Sequence, residues 1–436
     1  MRVNVRKVFI VCTVLICVWV FGAFIHTEPW VQKINHYTLS SLEKKLLVLE
    51  KNMDKQMEDS SKLLEKLRKK INTIEGDDSE KIAQVSDISK LVLPVLVIAC
   101  DRVTVKRCLD NLVKFRPDKE MFPIIVSQDC GHMATYNAIK AYTNTDPTIT
   151  VIRQPDKSEI PLPTAKVKFR GYYKIARHFK FALNHVLKEL GHEAVIIVED
   201  DLDISPDFFE YFLGTYPLLL KDPSLWCISA WNDNGKKEVT DMSRPDLLHR
   251  TDFFPGLGWL LRAQTWRKLE SVWPPAFFDD WLRNPDNVDH KSCIRPEISR
   301  TYSFGKIGVS KGLFFDVHLR NIQLNMEFVE FSKLNLTYLL KENYDENLLK
   351  TVSSLSVMTA DEVVHASPGV GPDPVRVTYS NAQTYRRSAK KLGLMDDFRS
   401  GVPRTAYQGI VTCYVRGRRV YLTPDYPWVK YDPEWG

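Results

Sequence analysis

The hydrophobic pattern opens with an unbroken apolar run, Val8 to Ile25 ("VFIVCTVLICVWVFGAFI"), behind Arg2, Arg6 and Lys7. A run of about 18 uncharged residues just suffices to span a bilayer as a helix and exceeds a signal-peptide core. No small-residue cleavage site follows it; His26, Thr27, Glu28, Pro29 and Trp30 do. Basic charge on the short side places that side in the cytosol. The pattern therefore predicts a cytosolic tail at 1–7, a type II transmembrane signal-anchor at 8–25, and a lumenal remainder.

A heptad rhythm comes next. Leu39, Leu46, Met53, Leu67 and Ile74 occupy position a, and Leu42, Leu49 and Leu63 position d, with Gln56, Ser60 and Lys70 interrupting. This predicts a helical stem and linker at 26–91, either a lone spacer helix or a self-associating coiled coil.

From residue 91 strands and helices alternate. "LVLPVLVIAC" (91–100), "FPIIVSQDC" (122–130), "TITVIRQ" (148–154) and "EAVIIVEDD" (193–201) read as strands, and 102–116 and 173–187 as helices. Ala176, Phe179, Leu183, Val186 and Leu187 share one helix face. Near-continuous apolar strands between helices predict an α/β fold with a mostly parallel central sheet covered on both faces. From about residue 342, "VRVTYSN" and "GIVTCYVRGRRVYLT" predict a small C-terminal α+β domain, the latter a hairpin turning near Gly417.

Charge adds one exclusion. The chain of 436 residues carries 60 basic and 54 acidic side chains, net +6, with no basic stripe interleaved with aromatics, so no nucleic-acid partner is expected. Lumenal placement permits disulfides among Cys100, Cys108, Cys130, Cys227, Cys293 and Cys413, whose pairing spacing alone leaves open. No Cys-x-x-Cys spacing suggests zinc. Asn335-Leu336-Thr337 is a glycosylation sequon.

In open α/β sheets ligands bind beyond the carboxyl ends of the strands. Three strands here end in Asp101-Arg102, Gln128-Asp129 and Glu199-Asp200-Asp201. Three consecutive carboxylates are either a solvated turn or a hard-oxygen site for Mg²⁺ or Mn²⁺, which would admit a nucleotide diphosphate. No Walker A loop or GxGxxG follows the first strand, which argues against a P-loop ATPase or a nicotinamide enzyme. Phosphate charge then falls to the metal and to side chains such as Arg102, otherwise an ordinary first-turn residue. A second pair, Asp279-Asp280, stands among Trp273, Phe277, Phe278 and Trp281. It reads as a helix start or as a general base in an aromatic-lined sugar site. Glycines at 305, 308 and 312 read as a surface loop or one that closes over a ligand.

The motifs "VLVIACDR", "FPIIVSQDCGH", "GYYKIARH", "VEDDLDISPDFFEYF", "WCISAWNDNG", "RTDFFPGLGWLL" and "RPEISRTYSFGKIGVSKGLFFD" resemble, in order, the N-acetylglucosaminyltransferase I family, the alpha-1,3-mannosyl-glycoprotein 2-beta-N-acetylglucosaminyltransferases. The resemblance implies a GT-A type nucleotide-sugar-binding domain at 92–305, a flexible donor loop and linker at 306–341, and the small domain at 342–436. It implies UDP-N-acetylglucosamine as donor, Mn²⁺ as metal, N-glycans of glycoproteins as acceptors, and a Golgi membrane location. By matching positions, Arg102, Asp129, His178, Asp200 and Ser310 would contact the donor, Asp201 would ligate the metal, and Asp279 would be the catalytic base. Disulfides would pair Cys100 with Cys130 and Cys227 with Cys293, leaving Cys108 free; Cys413 matches no cysteine of the family pattern. Where the family usually has Trp before the two aspartates, this chain has Phe278, which keeps an aromatic surface and loses an N–H donor, a change that leaves the base in place and bears on acceptor contacts or affinity without fixing either. Competing readings are a transferase of the same fold acting on O-linked mannose, and a silent lumenal lectin or scaffold. The lectin reading gives no role to Asp201 and Asp279 together.

Overall fold

A computed structural model describes residues 91–306, 308, 312, 315–367 and 372–435. The predicted anchor, the heptad stem and Ser310 lie outside the described residues. Among those described, no helix is long and apolar enough to cross a membrane.

The chain runs β1 (Val95–Ala99), α1 (Val105–Phe115), β2 (Ile124–Gln128), α2 (Met133–Thr143), β3 (Ile149–Arg153), α3 (Arg170–Asn184) and β4 (Ala194–Glu199). These four strands are parallel, in the spatial order β3-β2-β1-β4. There follow β5 (Leu202–Ile204), α4 (Phe208–Lys221), β6 (Leu225–Ser229), β7 (Leu248–Thr251), β8 (Trp259–Arg262), α5 (Ala263–Ser271), α6 (Phe278–Leu282), β9 (Ser292–Pro296) and β10 (Thr301–Ser303). The sheet continues β4-β8-β6-β9-β7. Here β8 is antiparallel to both neighbours and β7 to β9, while β6 and β9 run parallel. The eight-stranded sheet is therefore mixed. The parallel strands expected from sequence fill one half, and the antiparallel pairings fall in the other.

Alternation of side chains along each strand divides the interior into two layers. Val95, Val97, Ile196 and Val198 join α1 and α4 on one face, with Val105, Leu109, Leu112, Phe208 and Phe212. Leu96, Ile98, Val195 and Ile197 join α3 and α5 on the other, with Phe179, Leu183 and Trp266. A sheet buried on both faces needs apolar residues at successive positions, which is why these strands read as continuous runs.

Ser205-Pro206-Asp207 leads into α4, but Asp207 does not cap it through its side chain. Asp207 is buried and accepts hydrogen bonds from Ser205, Arg300 and Asn325. The stretch 306–341, expected as loop and linker, sends Phe331, Leu336 and Leu339 into the α4 side of the core. A Cβ on Gly214 would meet the Phe331 backbone at 2.5 Å, so this glycine lets the segment lie directly on α4. Phe331 is fully buried and sits under Arg300 and beside Tyr211. Phe331→Ala is expected to lower stability by about 3–5 kcal/mol, as for other buried phenylalanines. Denaturant midpoints of variant and parent would check this, and a shift under ~1 kcal/mol would contradict it.

The C-terminal part consists of α7 (Lys341–Ser354), α8 (Ala360–His365), β11 (Val375–Tyr379), α9 (Ala382–Leu392), the short pair β12 (Phe398–Arg399) and β13 (Val402–Pro403), β14 (Val411–Val415) and β15 (Arg418–Pro424). A three-stranded sheet β11-β15-β14 includes the expected hairpin, turning through Arg416 and Gly417, both left-handed. Its core takes in Val239 of the preceding part. Buried polar bonds also cross between the parts: Arg404 to Asp233 at 2.7 Å, Arg419 to Glu297 at 2.9 Å, and the Tyr431 hydroxyl to Asp252 at 2.7 Å. Two disulfides are formed, Cys100–Cys130 and Cys227–Cys293, the pairing that the resemblance implied. Cys108 and Cys413 are free and buried.

Candidate active site

Parallel pairing sets the carboxyl ends of β1, β2 and β4 on one edge of the sheet, with Ala99 opposite Gln128 and Ile98 opposite Glu199. The polar residues that end these strands therefore meet. Arg102 donates to Asp201 at 2.7 Å and to Asp200 through its other terminal nitrogen. The Cys100–Cys130 bridge ties the ends of β1 and β2 beside it, and the Cys100 N–H points to Asp200 Oδ2 at 3.4 Å.

The three consecutive acids are unequal. Burial pushes Asp200 up to about 6, with Arg102 opposing and Asp201 adding. Burial and the Asp201 charge push Glu199 up to about 8 against Arg102, with Asp200 and Asp279 adding. Among the described residues, Arg102 is the cation paired with both Asp200 and Asp201. Asp203, the fourth acid of the run, is already taken by Arg107 at 2.8 Å and Asn111 at 2.8 Å.

β5 pairs with β10 so that Ser303 lies opposite Leu202, which brings Phe304 and Gly305 against the acids. The Phe304 N–H donates to the Asp201 carbonyl at 3.0 Å. A Cβ on Gly305 would fall 1.8 Å from Asp201 Oδ2.

Asp129 and His178 come together on the β2 side. His178 is buried in α3 and shares a hydrogen bond with the Ser127 hydroxyl at 2.8 Å. Burial pushes its imidazole down to about 4, against the Asp129 charge and Ser127, so it is neutral near pH 7. Asp129 accepts from the Cys130 N–H at 2.7 Å.

Asp279 stands in the first turn of α6 with its side chain 45% exposed, 3.0 Å from Arg283. Arg283 also bonds Asp280 at 2.9 Å and the Phe254 carbonyl at 3.2 Å. An arginine three and four residues beyond two acids is a helical pairing legible in the sequence Asp279-Asp280-Trp281-Leu282-Arg283. Ser127 carries no sequence signal, since it acts through His178, 51 residues away; Gly305 stands out in sequence only as one of three loop glycines, not as a neighbour of Asp201. Phe278 is not an exposed aromatic surface: it is 9% exposed and packs on Phe179 and Trp273, with ring centroids 4.2 and 5.3 Å away. α6 thus turns this position into the core.

Among the described residues no three metal-ligating side chains converge. The Asp201 carboxylate, 15% exposed, is a hard-oxygen donor of the kind that suits Mg²⁺ or Mn²⁺. The residues present fit such an ion.

Residues 21–435 match the family model described as the GNT-I family. The chain belongs to the GNT-I family. One relative, the alpha-1,3-mannosyl-glycoprotein 2-beta-N-acetylglucosaminyltransferase of Arabidopsis thaliana, is 34% identical over 392 residues, covering 89% of this GNT-I chain and 85% of its own. Solved structures resemble it loosely. A Pyrobaculum calidifontis mannosyltransferase in complex with GDP-Man and Mn²⁺ is 15% identical, with a TM-score of 0.27 over 41% of this chain and 47% of that one. A glucosyl-3-phosphoglycerate synthase from Mycobacterium tuberculosis, with Mg²⁺ and UDP, is 12% identical with a TM-score of 0.30, over 49% and 72%. Likenesses this loose establish neither ligand nor metal for the GNT-I chain.

Proposed function

We propose that this protein is an inverting β1,2-N-acetylglucosaminyltransferase of GT-A type. It moves N-acetylglucosamine from UDP-N-acetylglucosamine to the 2-hydroxyl of the α1,3-linked mannose of an N-glycan. The observation that carries the reading is the full-length GNT-I match, to a relative of that activity, in a chain with acids at both required places. Asp201 follows the end of β4, and Asp279 stands in the first turn of α6 with its side chain 45% exposed.

Arg102, Asp129, His178 and Asp200 hold the donor at the strand ends, joined by Ser310 from the loop. A neutral His178 fixed by Ser127 offers a hydrogen bond without adding charge. Asp279 takes the proton from the attacking mannose hydroxyl, and its exposure lets it meet a hydroxyl arriving from solution. Attack from the face opposite UDP inverts the anomeric centre in one displacement. Arg283 orients Asp279 at the helix start. A Mn²⁺ ion held by Asp201 would act as a Lewis acid on the departing diphosphate, so that no second carboxyl acid is needed. The apolar run at 8–25 would anchor the chain in the Golgi membrane with the catalytic part lumenal.

The test is to incubate the full chain with UDP-N-acetylglucosamine, Mn²⁺ and a five-mannose N-glycan, and to analyse the product linkage. A β1,2 product on the α1,3 arm is expected. No transfer, or transfer to O-mannosyl peptide instead, would overturn the reading.

A further inference from the structure

Two adjacent phenylalanines precede Asp279, and the fold treats them oppositely. Phe278 enters the core, whereas Phe277 is only half-buried and adopts a left-handed backbone with φ of +53°. That conformation is costly for a bulky side chain and persists where the surroundings demand it. Core packing does not demand it here. The ring contacts of Phe277 are with Tyr172, stacked at 4.5 Å with planes 24° apart, and with Phe169 at 5.4 Å. Both partners belong to another element, the entry and first turn of α3, and both are half-buried too.

These three rings form a partly exposed aromatic surface bordered by carboxylates. Burial, with the charges of Asp279 and Asp280, holds the Tyr172 hydroxyl above its ordinary range. Its position along α3 separates it from the donor residues: His178 lies six residues further, about 9 Å along the helix axis at 1.5 Å per residue. The surface therefore lies on the Asp279 side of the site. A pyranose has one face of C–H groups and a rim of hydroxyls. The C–H face is attracted to the negative face of an aromatic ring, and the rim needs polar neighbours. Aromatic faces beside two aspartates offer both.

We propose that Phe169, Tyr172 and Phe277 form a shelf on which a pyranose ring of the acceptor glycan stacks, so that the reacting mannose hydroxyl meets Asp279. This rests on the transferase reading above, because continuity with Asp279 makes the acceptor the occupant. Phe277 is a positioning residue, and its left-handed backbone turns its ring outward while Phe278 anchors the helix below.

The test is steady-state transfer by the full chain and its Phe277→Ala, Phe277→Trp and Tyr172→Ala variants, varying glycan and donor separately. Loss of an anchoring aromatic is expected to raise the KM for the five-mannose N-glycan by about tenfold or more, with the KM for UDP-N-acetylglucosamine held within about twofold. Phe277→Trp should recover most of the loss. Unchanged glycan KM in both alanine variants overturns the shelf, as does an equal rise in donor KM. The two substitutions lie on separate elements, so misfolding of one leaves the other to decide. A parent chain that transfers nothing overturns the functional reading instead, which separates the two failures.

Discussion

Asp279→Asn is expected to lower the transfer rate by about 10²–10⁴-fold, the range that a positioned general base contributes, while UDP-N-acetylglucosamine still binds. The substitution keeps shape and volume and removes the carboxylate proposed to take the proton. It should not disturb the fold, because the Asp279 side chain is nearly half exposed. Arg283 also keeps its bonds to Asp280 and to the Phe254 carbonyl, so the start of α6 stays held. The residues proposed to hold the donor lie on other elements: Arg102 just before α1, Asp129 after β2, His178 in α3 and Asp200 after β4. Initial rates with saturating glycan, alongside calorimetric titration of the donor, separate the two effects. Turnover within tenfold of the parent would remove Asp279 from the role of base.

Much of this arrangement was legible because burial on both sheet faces leaves a plain mark. β1, β2 and β4 are unbroken apolar runs, and their polar ends converge once the strands are parallel. β7 left no such mark. It reads Leu248-His249-Arg250-Thr251, and all four residues are buried. His249 is accommodated by donating to Glu297 at 2.6 Å; burial pushes its imidazole down to about 4, so it is neutral there. Arg250 is accommodated by Asp222 at 2.7 Å and the Leu339 carbonyl at 2.9 Å. Partners 28 to 89 residues away cannot be paired by a local pattern, so a buried strand reads as a polar loop.

The site divides along the same line. The acids themselves stand out in sequence, but their inequality depends on partners brought by the fold. Asp203 is withdrawn by Arg107 and Asn111, and Asp207 by Arg300. Phe277 and Phe278 are the same residue type side by side, yet Phe277 has a left-handed backbone and a half-buried ring while Phe278 packs in the core. The disulfide pairing followed from family resemblance, since six cysteines leave many pairings open.

Gly305→Ala is expected to disable Asp201 almost as fully as Asp201→Ala does, without touching a polar group. Besides the 1.8 Å approach to Oδ2, the added Cβ would lie 2.6 Å from Asp201 Cγ and 2.9 Å from its Cβ. Real Cβ atoms do not approach so closely, so either the loop or the carboxylate must move. The loop is pinned on its near side by the β5–β10 pairing and by the Phe304 N–H on the Asp201 carbonyl. The carboxylate therefore yields and gives up its 2.7 Å contact with Arg102. A displacement of about 1 Å at such a group costs on the order of 10²-fold in rate. If Asp201 holds the metal, both variants should also weaken Mn²⁺-dependent binding of UDP-N-acetylglucosamine, measured by metal titration without any acceptor. Their effects should not add in the double variant, because the second change removes a group already displaced. A Gly305→Ala chain with the parent's metal titration, or a fully additive double variant, would mean that Asp201 does not carry the metal.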